Sequence, residues 1–272
     1  ASRRRIYWLL FVLAVALFAG AVLLSLPILA AKGGPGFLKA AGAFKVASIL
    51  GLRVSSPASS AAAVLVLCLF SALCLGYILL SFRKTVSPEI FFFSFWVLSL
   101  ACESGRLLVF RFASGAYPEP WIILAARVVY GARILGLLCF FAAGLHAASF
   151  RNEKLGSALG VIFVAGFSLA QAIPFDTGSY EASLMLRSGY ASLSLGLAVL
   201  AGLGVVANLF YASFSSGEKS YRIVSLGACS ALVGQLLLLA SWYPPTLALG
   251  TLLLVLGSWL FISRLHAYYL WQ

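Results

Sequence analysis

Long apolar runs separated by short polar connections dominate the sequence. The hydrocarbon core of a bilayer is ~30 Å thick, and a helix of about 20 apolar residues crosses it. The pattern therefore predicts an all-α membrane protein with eight transmembrane helices. The predicted spans are Ile6–Ala31, Ala61–Phe82, Ile90–Phe110, Trp121–Phe150, Leu155–Ile173, Tyr190–Phe214, Ile223–Trp242 and Thr246–Ile262.

The connections between the predicted spans are short. An independent soluble domain usually needs at least ~50 residues, which no connection provides. Residues 1–272 are therefore predicted to form a single transmembrane domain. The last two spans are joined only by Tyr243-Pro244-Pro245, so a count of seven spans is the alternative.

The composition supports a membrane location. Hydrophobic residues make up 62% of the chain and charged residues 10%, whereas about a quarter of the residues are charged in soluble domains. The formal net charge is +12, but the Lys and Arg residues are scattered over the connections, which argues against nucleic acid as a partner. All five Cys lie within predicted spans and lack CxxC spacing, so neither disulfides nor a metal site is expected.

The distribution of positive charge predicts the orientation of the chain. With the N-terminus in the cytoplasm, ten Lys and Arg residues flank the inner ends of the spans and six lie in the outer connections. Because cytoplasmic loops carry the excess of Lys and Arg, both termini are predicted to be cytoplasmic. The expected location is the inner (cytoplasmic) membrane of a bacterium.

The longest connection, residues 32–60, interleaves apolar side chains with Lys39, Lys45 and Arg53. This pattern is typical of an amphipathic segment that lies on the membrane surface, here the outer leaflet, with lipid headgroups as its partners. The alternative is that the segment packs over the helix ends as a lid.

The sequence contains a weak internal repeat. Tyr117-Pro118 precedes a span that ends in Leu145-His146-Ala147, and Tyr243-Pro244 precedes one that ends in Leu265-His266-Ala267. Two parallel halves of four helices each, related by an axis along the membrane normal, would produce this pattern.

Four ionisable residues fall inside the third and fourth spans, where hydrocarbon disfavours charge. Glu103 and Arg106 lie on the third span, and Arg127 and Arg133 on the fourth. Side chains three residues apart share a helix face, so Glu103 and Arg106 are predicted to form an ion pair. By the same spacing, Arg127, Tyr130 and Arg133 are predicted to share one face of the fourth span.

The two charged spans are predicted to form an antiparallel helical hairpin. This places Glu103 at a depth in the membrane between those of Arg127 and Arg133. One carboxylate among three guanidiniums leaves two positive charges over, and Arg keeps its charge because its pKa exceeds 12. The hypothesis is an outward-facing pocket in which the arginines bind a carboxylate, a phosphate or a lipid headgroup. Gln171 and Gln235 are candidates for additional hydrogen bonds. The alternative is a structural network in which the arginines bind carbonyl groups and water, or extend toward the membrane surface.

No motif in the sequence identifies a reaction. HExxH and Walker A sequences are absent, and the two His are 120 positions apart, which disfavours a metalloprotease, an ATPase and a bis-histidine haem. Glu103 is expected to be the only buried acid, which disfavours a proton-coupled pump. No catalytic residue, metal or cofactor is assigned, and a non-enzymatic protein is favoured.

Two classes of function fit the predicted pocket. The first is a carrier, in which the pocket holds an anionic solute or lipid while one half of the bundle rocks against the other. The second is a membrane-embedded sensor or accessory subunit, whose arginine cluster docks a ligand or a protein partner within the membrane. A broken helix would favour transport, but no Pro lies in the middle of a span.

Overall fold

The structure of the protein is a computed structural model. It describes residues 2–30, 57–82, 87–115, 117–148, 155–181, 183–215, 220–240 and 244–270. Residues 32–56, most of the predicted amphipathic segment, lie outside the described residues. Residues 57–60, which the sequence pattern assigns to that segment, instead form the first turn of the second helix.

Nine α-helices and one β-hairpin make up the described part of the chain. The helices are α1 (Ser2–Ala30), α2 (Pro57–Ser81), α3 (Pro88–Ala101), α4 (Gly105–Ser114), α5 (Glu119–Ala147), α6 (Leu155–Ala172), α7 (Ala191–Ser215), α8 (Ser220–Leu239) and α9 (Pro244–Leu270). A 3-10 turn, Cys102–Ser104, joins α3 and α4 into one span. The strands β1 (Phe175–Tyr180) and β2 (Leu186–Ser188) pair antiparallel between α6 and α7.

The prediction of eight helices that are long and apolar enough to cross a membrane is confirmed. Within the described ranges, eight helical segments are long and apolar enough to span a bilayer, and α8 and α9 are separate, so the count of seven is wrong. The helix ends differ from the predicted ones by a few residues, because capping rather than hydropathy decides where a helix begins. The third span, for example, begins at Pro88, since the Ser87 hydroxyl accepts a hydrogen bond from the Ile90 amide.

The third span and α5 form the centre of the bundle. Helix α3 packs against α2 and α5, and α5 also contacts α4, α6 and α7. In the middle of this core the Phe93 ring lies 4.5 Å from that of Phe261 and 5.4 Å from that of Phe140, between centroids. Helix α6 packs mainly against α5 and leaves most of its surface exposed. The two spans that carry the charged residues are therefore the most enclosed ones.

Helices α8 and α9 are in backbone contact along their length. A Cβ atom on Gly257 would lie 2.6 Å from the Gly227 carbonyl oxygen, and one on Gly234 would lie 2.7 Å from the Gly250 carbonyl oxygen. Lipid tails are as apolar as the helices, so van der Waals contact between small residues, rather than the hydrophobic effect, holds such a pair together. The α8–α9 pair packs against α7 and α2.

The β-hairpin covers one end of the bundle, here named the hairpin end. Leu184, in the turn, packs with Leu107 and Phe110 of α4 and with the adjoining ends of α1 and α2. Met185 and Leu186 pack against α4, α5 and α6. All three hairpin side chains are at most 1% exposed, and Leu184 has a left-handed φ of 64°. The hairpin was not predicted from the sequence.

Replacing Gly257 by Ala should destabilise the protein. The added methyl group would overlap the backbone of α8, and overpacking of this kind costs about 1–3 kcal/mol. The thermal unfolding midpoint of the detergent-solubilised protein should therefore fall. Gly196→Ala is the matched control, because a Cβ atom there has no atom within 4 Å. Equal midpoints for the two variants would contradict the close contact between α8 and α9.

Candidate functional site

The acidic residue of the site lies where the helix of the third span tightens. In the 3-10 turn Cys102–Ser104, the Gly105 amide donates to the carbonyl three residues earlier. A regular α-helix would pair that amide with the Ala101 carbonyl, which instead accepts a hydrogen bond from the Cys68 thiol of α2 at 3.4 Å. The turn that carries Glu103 is therefore held by a neighbouring helix.

Two glycines allow the third span and α5 to approach each other closely. A Cβ atom on Gly105 would lie 2.5 Å from Val129 Cγ2, and one on Gly136 would lie 2.6 Å from Ser99 Cβ. A larger residue at either position would push the two spans apart. Their close approach brings the charged side chains of α5 within reach of Glu103.

Glu103 binds two guanidinium groups at once. Arg106 Nε donates to Glu103 Oε2 at 2.5 Å, as predicted from their spacing. Arg133 binds the carboxylate side-on, with Nε donating to Oε1 at 2.6 Å and Nη2 to Oε2 at 2.8 Å. Both carboxylate oxygens are thus bound by arginine, and the two parallel bonds fix the plane of the Arg133 guanidinium.

These three residues, hereafter the ion-pair cluster, are enclosed by the bundle. Glu103 and Arg106 are each 1% exposed, and Arg133 is 20% exposed. Burial of charge is costly, so a buried ion pair is stable only with good geometry and with its remaining donors satisfied. Here the second guanidinium leaves one positive charge over, and Arg106 Nη2 has no hydrogen-bond partner within the described chain. The cluster therefore has a surplus charge and an unused donor.

The other two predicted members of the α5 face occupy different positions. Tyr130 lies against the Arg133 guanidinium, whose Cζ is 4.9 Å from the ring centroid, and its ring is 5.2 Å from that of Phe175 in β1. This cation–π contact gives the guanidinium a further partner. Arg127 lies nearer the hairpin end and, among the described residues, is not ion-paired with Glu103; its Nε is buried without a hydrogen-bond partner.

The structure does not bring the two predicted glutamines into the cluster. Gln235 of α8 accepts a hydrogen bond from Trp96 Nε1 at 2.9 Å, in the core between α3 and α8. Gln171 is exposed near the end of α6. Their height along the spans suggested a role in the site, but height does not determine which way a side chain faces.

The β-hairpin closes over the cluster from the hairpin end. Thr177 Oγ1 donates to Glu119 Oε1 at 3.4 Å, which ties β1 to the first turn of α5. Glu181 follows β1, and its carboxylate accepts a hydrogen bond from the Ser183 hydroxyl at 3.1 Å. The Glu181 amide donates to the Met185 carbonyl at 2.8 Å, which fixes its backbone.

Two titratable groups of the hairpin, Asp176 and Tyr180, have shifted pKa values. Hydrogen bonds from the Ser179 hydroxyl and the Gly178 amide lower the pKa of Asp176. Burial, with a contribution from the Glu119 carboxylate, raises the pKa of Tyr180. Asp176 is therefore charged and Tyr180 neutral around neutral pH, so neither of them titrates there.

A second buried acid lies at the opposite end of the bundle, so the expectation that Glu103 is the only one is wrong. Glu89 is 3% exposed, and its carboxylate accepts hydrogen bonds from the Ser87 hydroxyl at 2.6 Å and the Tyr269 hydroxyl at 2.9 Å. Its place in the first turn of α3 also favours negative charge. Across the described ranges, no three His, Cys, Asp or Glu side chains are grouped as metal ligands.

Replacing Glu103 by Gln should destabilise the protein strongly. Breaking a buried ion pair costs roughly 3–5 kcal/mol, because it leaves the partner charge uncompensated, and here two guanidiniums would repel each other. The unfolding midpoint should fall by far more than in Glu119→Gln, which removes an exposed carboxylate at the hairpin end. Adding Arg106→Gln to Glu103→Gln should restore part of the loss. If Glu103→Gln and Glu119→Gln unfold at the same temperature, the ion-pair cluster does not stabilise the bundle.

Comparison with known proteins gives no relative for this chain. No family model matches it, and no curated protein or solved structure matches it either. The residues of the site and their geometry are therefore the basis for its function.

Proposed function

We propose that the protein binds an anionic group through Arg106, Arg127 and Arg133 and acts as a membrane carrier for the solute or lipid that bears this group. One observation supports the proposal above all others. One buried and one partly buried guanidinium share the single carboxylate of Glu103, and Arg106 Nη2 is left without a partner in the described chain. Arginine cannot lose its proton in a protein, so an anion in the cluster gains charge-assisted hydrogen bonds and offsets the surplus charge.

Each charged residue has a separate part in this proposal. Arg133 is the more exposed of the two paired arginines, so it meets the ligand first. Arg106 and Arg127 each supply a buried donor, Nη2 and Nε respectively. Glu103 holds Arg106 and Arg133 together against their mutual repulsion. Carboxylates and phosphates suit this arrangement, because each presents several acceptor oxygens to the planar guanidinium fork.

The tightened helix at Glu103 favours a carrier over a static binding module. Short 3-10 stretches inside a helix often mark hinges, and transporters place their substrate sites at interrupted helices. The turn Cys102–Ser104 is a 3-10 stretch of the first kind within one continuous span, and it contains no Pro that would have revealed it in the sequence. Helix α4 packs against the β-hairpin, so a hinge at this turn would move α4 and the hairpin together and open the cluster.

The predicted orientation gives the proposed carrier a direction of access. The positive-inside rule puts the connection between α4 and α5 on the outer face of a bacterial inner membrane. The hairpin end would then be the outer end, and the ligand would reach Arg133 from the outer leaflet or from the adjacent water. Membrane lipids and small anionic solutes are the proposed partners.

An anionic adduct should co-purify with the wild-type protein and be lost from Arg133→Gln. Native mass spectrometry of the gently solubilised protein would measure the adduct, and its mass would separate a lipid from a small solute. Arg127→Gln should lower adduct occupancy by about tenfold, the effect of one lost charge-assisted hydrogen bond of roughly 1.5 kcal/mol. Because Arg127 is not ion-paired with Glu103, this variant keeps the cluster intact if Arg133→Gln fails to fold.

The matched control for the adduct measurement is Arg111→Gln. Arg111 is exposed on α4, so this variant removes the same charge from the same end of the bundle without touching the cluster. It should keep the adduct. Equal adduct signals from wild type, Arg133→Gln and Arg127→Gln would exclude the anion site.

Transport can be separated from binding with reconstituted vesicles. The labelled adduct species, a lipid or a solute, should cross the bilayer in wild-type vesicles and not in Arg133→Gln vesicles. Binding without any movement across the bilayer would overturn the carrier function and leave a sensor or accessory subunit.

A further inference from the structure

Helices α6 and α7 pack on two different faces of α5 and, in the described structure, hardly touch each other. Gly131 and Leu135 lie against α6, and Phe141 and Gly144 lie against α7. A Cβ atom on Gly131 would lie 2.9 Å from the nearest atom of α6, and one on Gly144 would lie 3.2 Å from the nearest atom of α7. At ~100° per residue these two faces of α5 are about 130° apart, so the axes of α6 and α7 are ~15 Å apart and a cleft of about 5 Å lies between the helices.

Towards the hairpin end, α7 moves away from α5 and the cleft opens. Val205, Leu209 and Ala212 of α7 are buried, whereas none of the described side chains of residues 192–204 is. Leu197 precedes Gly204 by two helical turns and shares its face, the one that contacts α5 further down. Leu197 is nevertheless 54% exposed. At this level the face of α5 that carries the arginines is therefore accessible from the side of the bundle.

The surface of α5 that lies between α6 and α7 combines one cation with apolar side chains. Arg127, Ile134 and Leu138 follow one another at intervals that keep them on one helix face, and each is partly exposed. At ~100° per residue, all three fall between the faces that contact α6 and α7. Arg127 is the one nearest the hairpin end, and among the described residues it has no ion-pair partner and no hydrogen-bond acceptor for its buried Nε. An unpaired cation at one end of an apolar stripe is complementary to an anionic lipid, which has a charged headgroup and a hydrocarbon chain.

Arg127 lies near the boundary between lipid headgroups and hydrocarbon. Helix α5 has 29 residues and is ~43 Å long, so when it is centred in the bilayer it extends beyond the ~30 Å of hydrocarbon by about 6 Å at each end. Arg127 is ~12 Å from the start of α5, and its long side chain can reach a phosphate at the membrane surface. Arg133 lies about 9 Å further along the helix, in the ion-pair cluster. A headgroup bound at Arg127 is therefore at the entrance to the cluster.

We infer that the anion site opens sideways to the bilayer through this cleft and that its ligand is an anionic membrane lipid. The headgroup binds Arg127 and Arg133, and an acyl chain lies along Ile134 and Leu138. This inference rests on the proposed function and selects a lipid over a soluble anion. Where α7 packs on α5, the cleft is about as wide as one hydrocarbon chain and too narrow for a further helix, which is ~10 Å wide. A lipid can enter from the side without leaving the hydrocarbon, and its chain gains van der Waals contacts that a soluble anion lacks.

The test blocks the cleft without changing the charge of the protein. Leu197→Trp enlarges an apolar side chain in the wall of the cleft, and Leu252→Trp makes the same change on α9, away from the cleft, at a position with matching exposure of 55%. The full chain is placed in phosphatidylcholine nanodiscs that contain phosphatidylglycerol, and the phosphatidylglycerol that it retains is measured by native mass spectrometry. Retention should fall by roughly tenfold in Leu197→Trp, the effect of overpacking at one apolar contact. It should stay at the wild-type level in Leu252→Trp.

Two arginine variants separate the cleft from the anion site. Arg127→Gln and Arg133→Gln should both lower the retention of phosphatidylglycerol. If they do so while Leu197→Trp retains as much lipid as wild type, the cleft is wrong and the anion site stands. If both arginine variants retain as much phosphatidylglycerol as wild type, the site itself is wrong, and the cleft loses its ligand with it. Leu197 and Leu252 are exposed, so the two Trp variants should unfold at the wild-type temperature.

The need for an acyl chain is tested with two ligands that share a headgroup. Detergent-solubilised wild type is mixed at equal concentrations with short-chain phosphatidylglycerol or with glycerophosphoglycerol, which lacks the acyl chains. An adduct should form with the lipid and not with glycerophosphoglycerol. Equal adducts with both would assign the site to a soluble anion, and a bound polypeptide in place of the lipid would assign the cleft to a protein partner. Either of these two results would overturn the inference.

Discussion

The interior of this bundle holds two guanidinium groups that keep their charge at any physiological pH, and one carboxylate neutralises half of that charge. Glu103 can bind both only if the third span and α5 pack closely. Gly105 and Gly136 make room for the side chains of Val129 and Ser99 between the two spans, and the tightened turn places the carboxylate between the arginines. The arrangement therefore depends on helix geometry, glycine placement and charge together. A change in any one of them would alter the contacts made by the other two.

The two ends of the bundle are stabilised by different physical means. Away from the hairpin end, rings of Phe93, Phe140 and Phe261 interlock, and the hydrogen bond between Trp96 and Gln235 joins α3 to α8. At the hairpin end, charge pairs and a two-stranded element replace this aromatic packing. Ion pairs and short strands can exchange partners more readily than interlocked rings, so the hairpin end is the end at which the proposed carrier would open.

The sequence predicted the eight spans and the pairing of Glu103 with Arg106, because hydropathy and three-residue spacing are local properties. Arg133 was placed correctly by its height, but Gln235 was not, since height leaves the direction of a side chain open. Glu89 escaped notice because it follows Pro88 at the border of a span and was counted with the connection. The β-hairpin was missed because its strands are short and polar, and only its buried Leu184-Met185-Leu186 run hinted at a packed segment.

Leu184 couples the backbone conformation of the hairpin turn to the packing of the hairpin on the bundle. A left-handed backbone costs a residue with a side chain roughly 1–2 kcal/mol, and Leu184 recovers that cost only while its side chain is buried against α4. Without its contacts to the helices, the left-handed turn would no longer be stabilised by the burial of Leu184. The backbone conformation of this turn and the burial of Leu184 therefore depend on each other, so a substitution that removes the apolar contacts of Leu184 also removes what offsets the cost of its left-handed backbone.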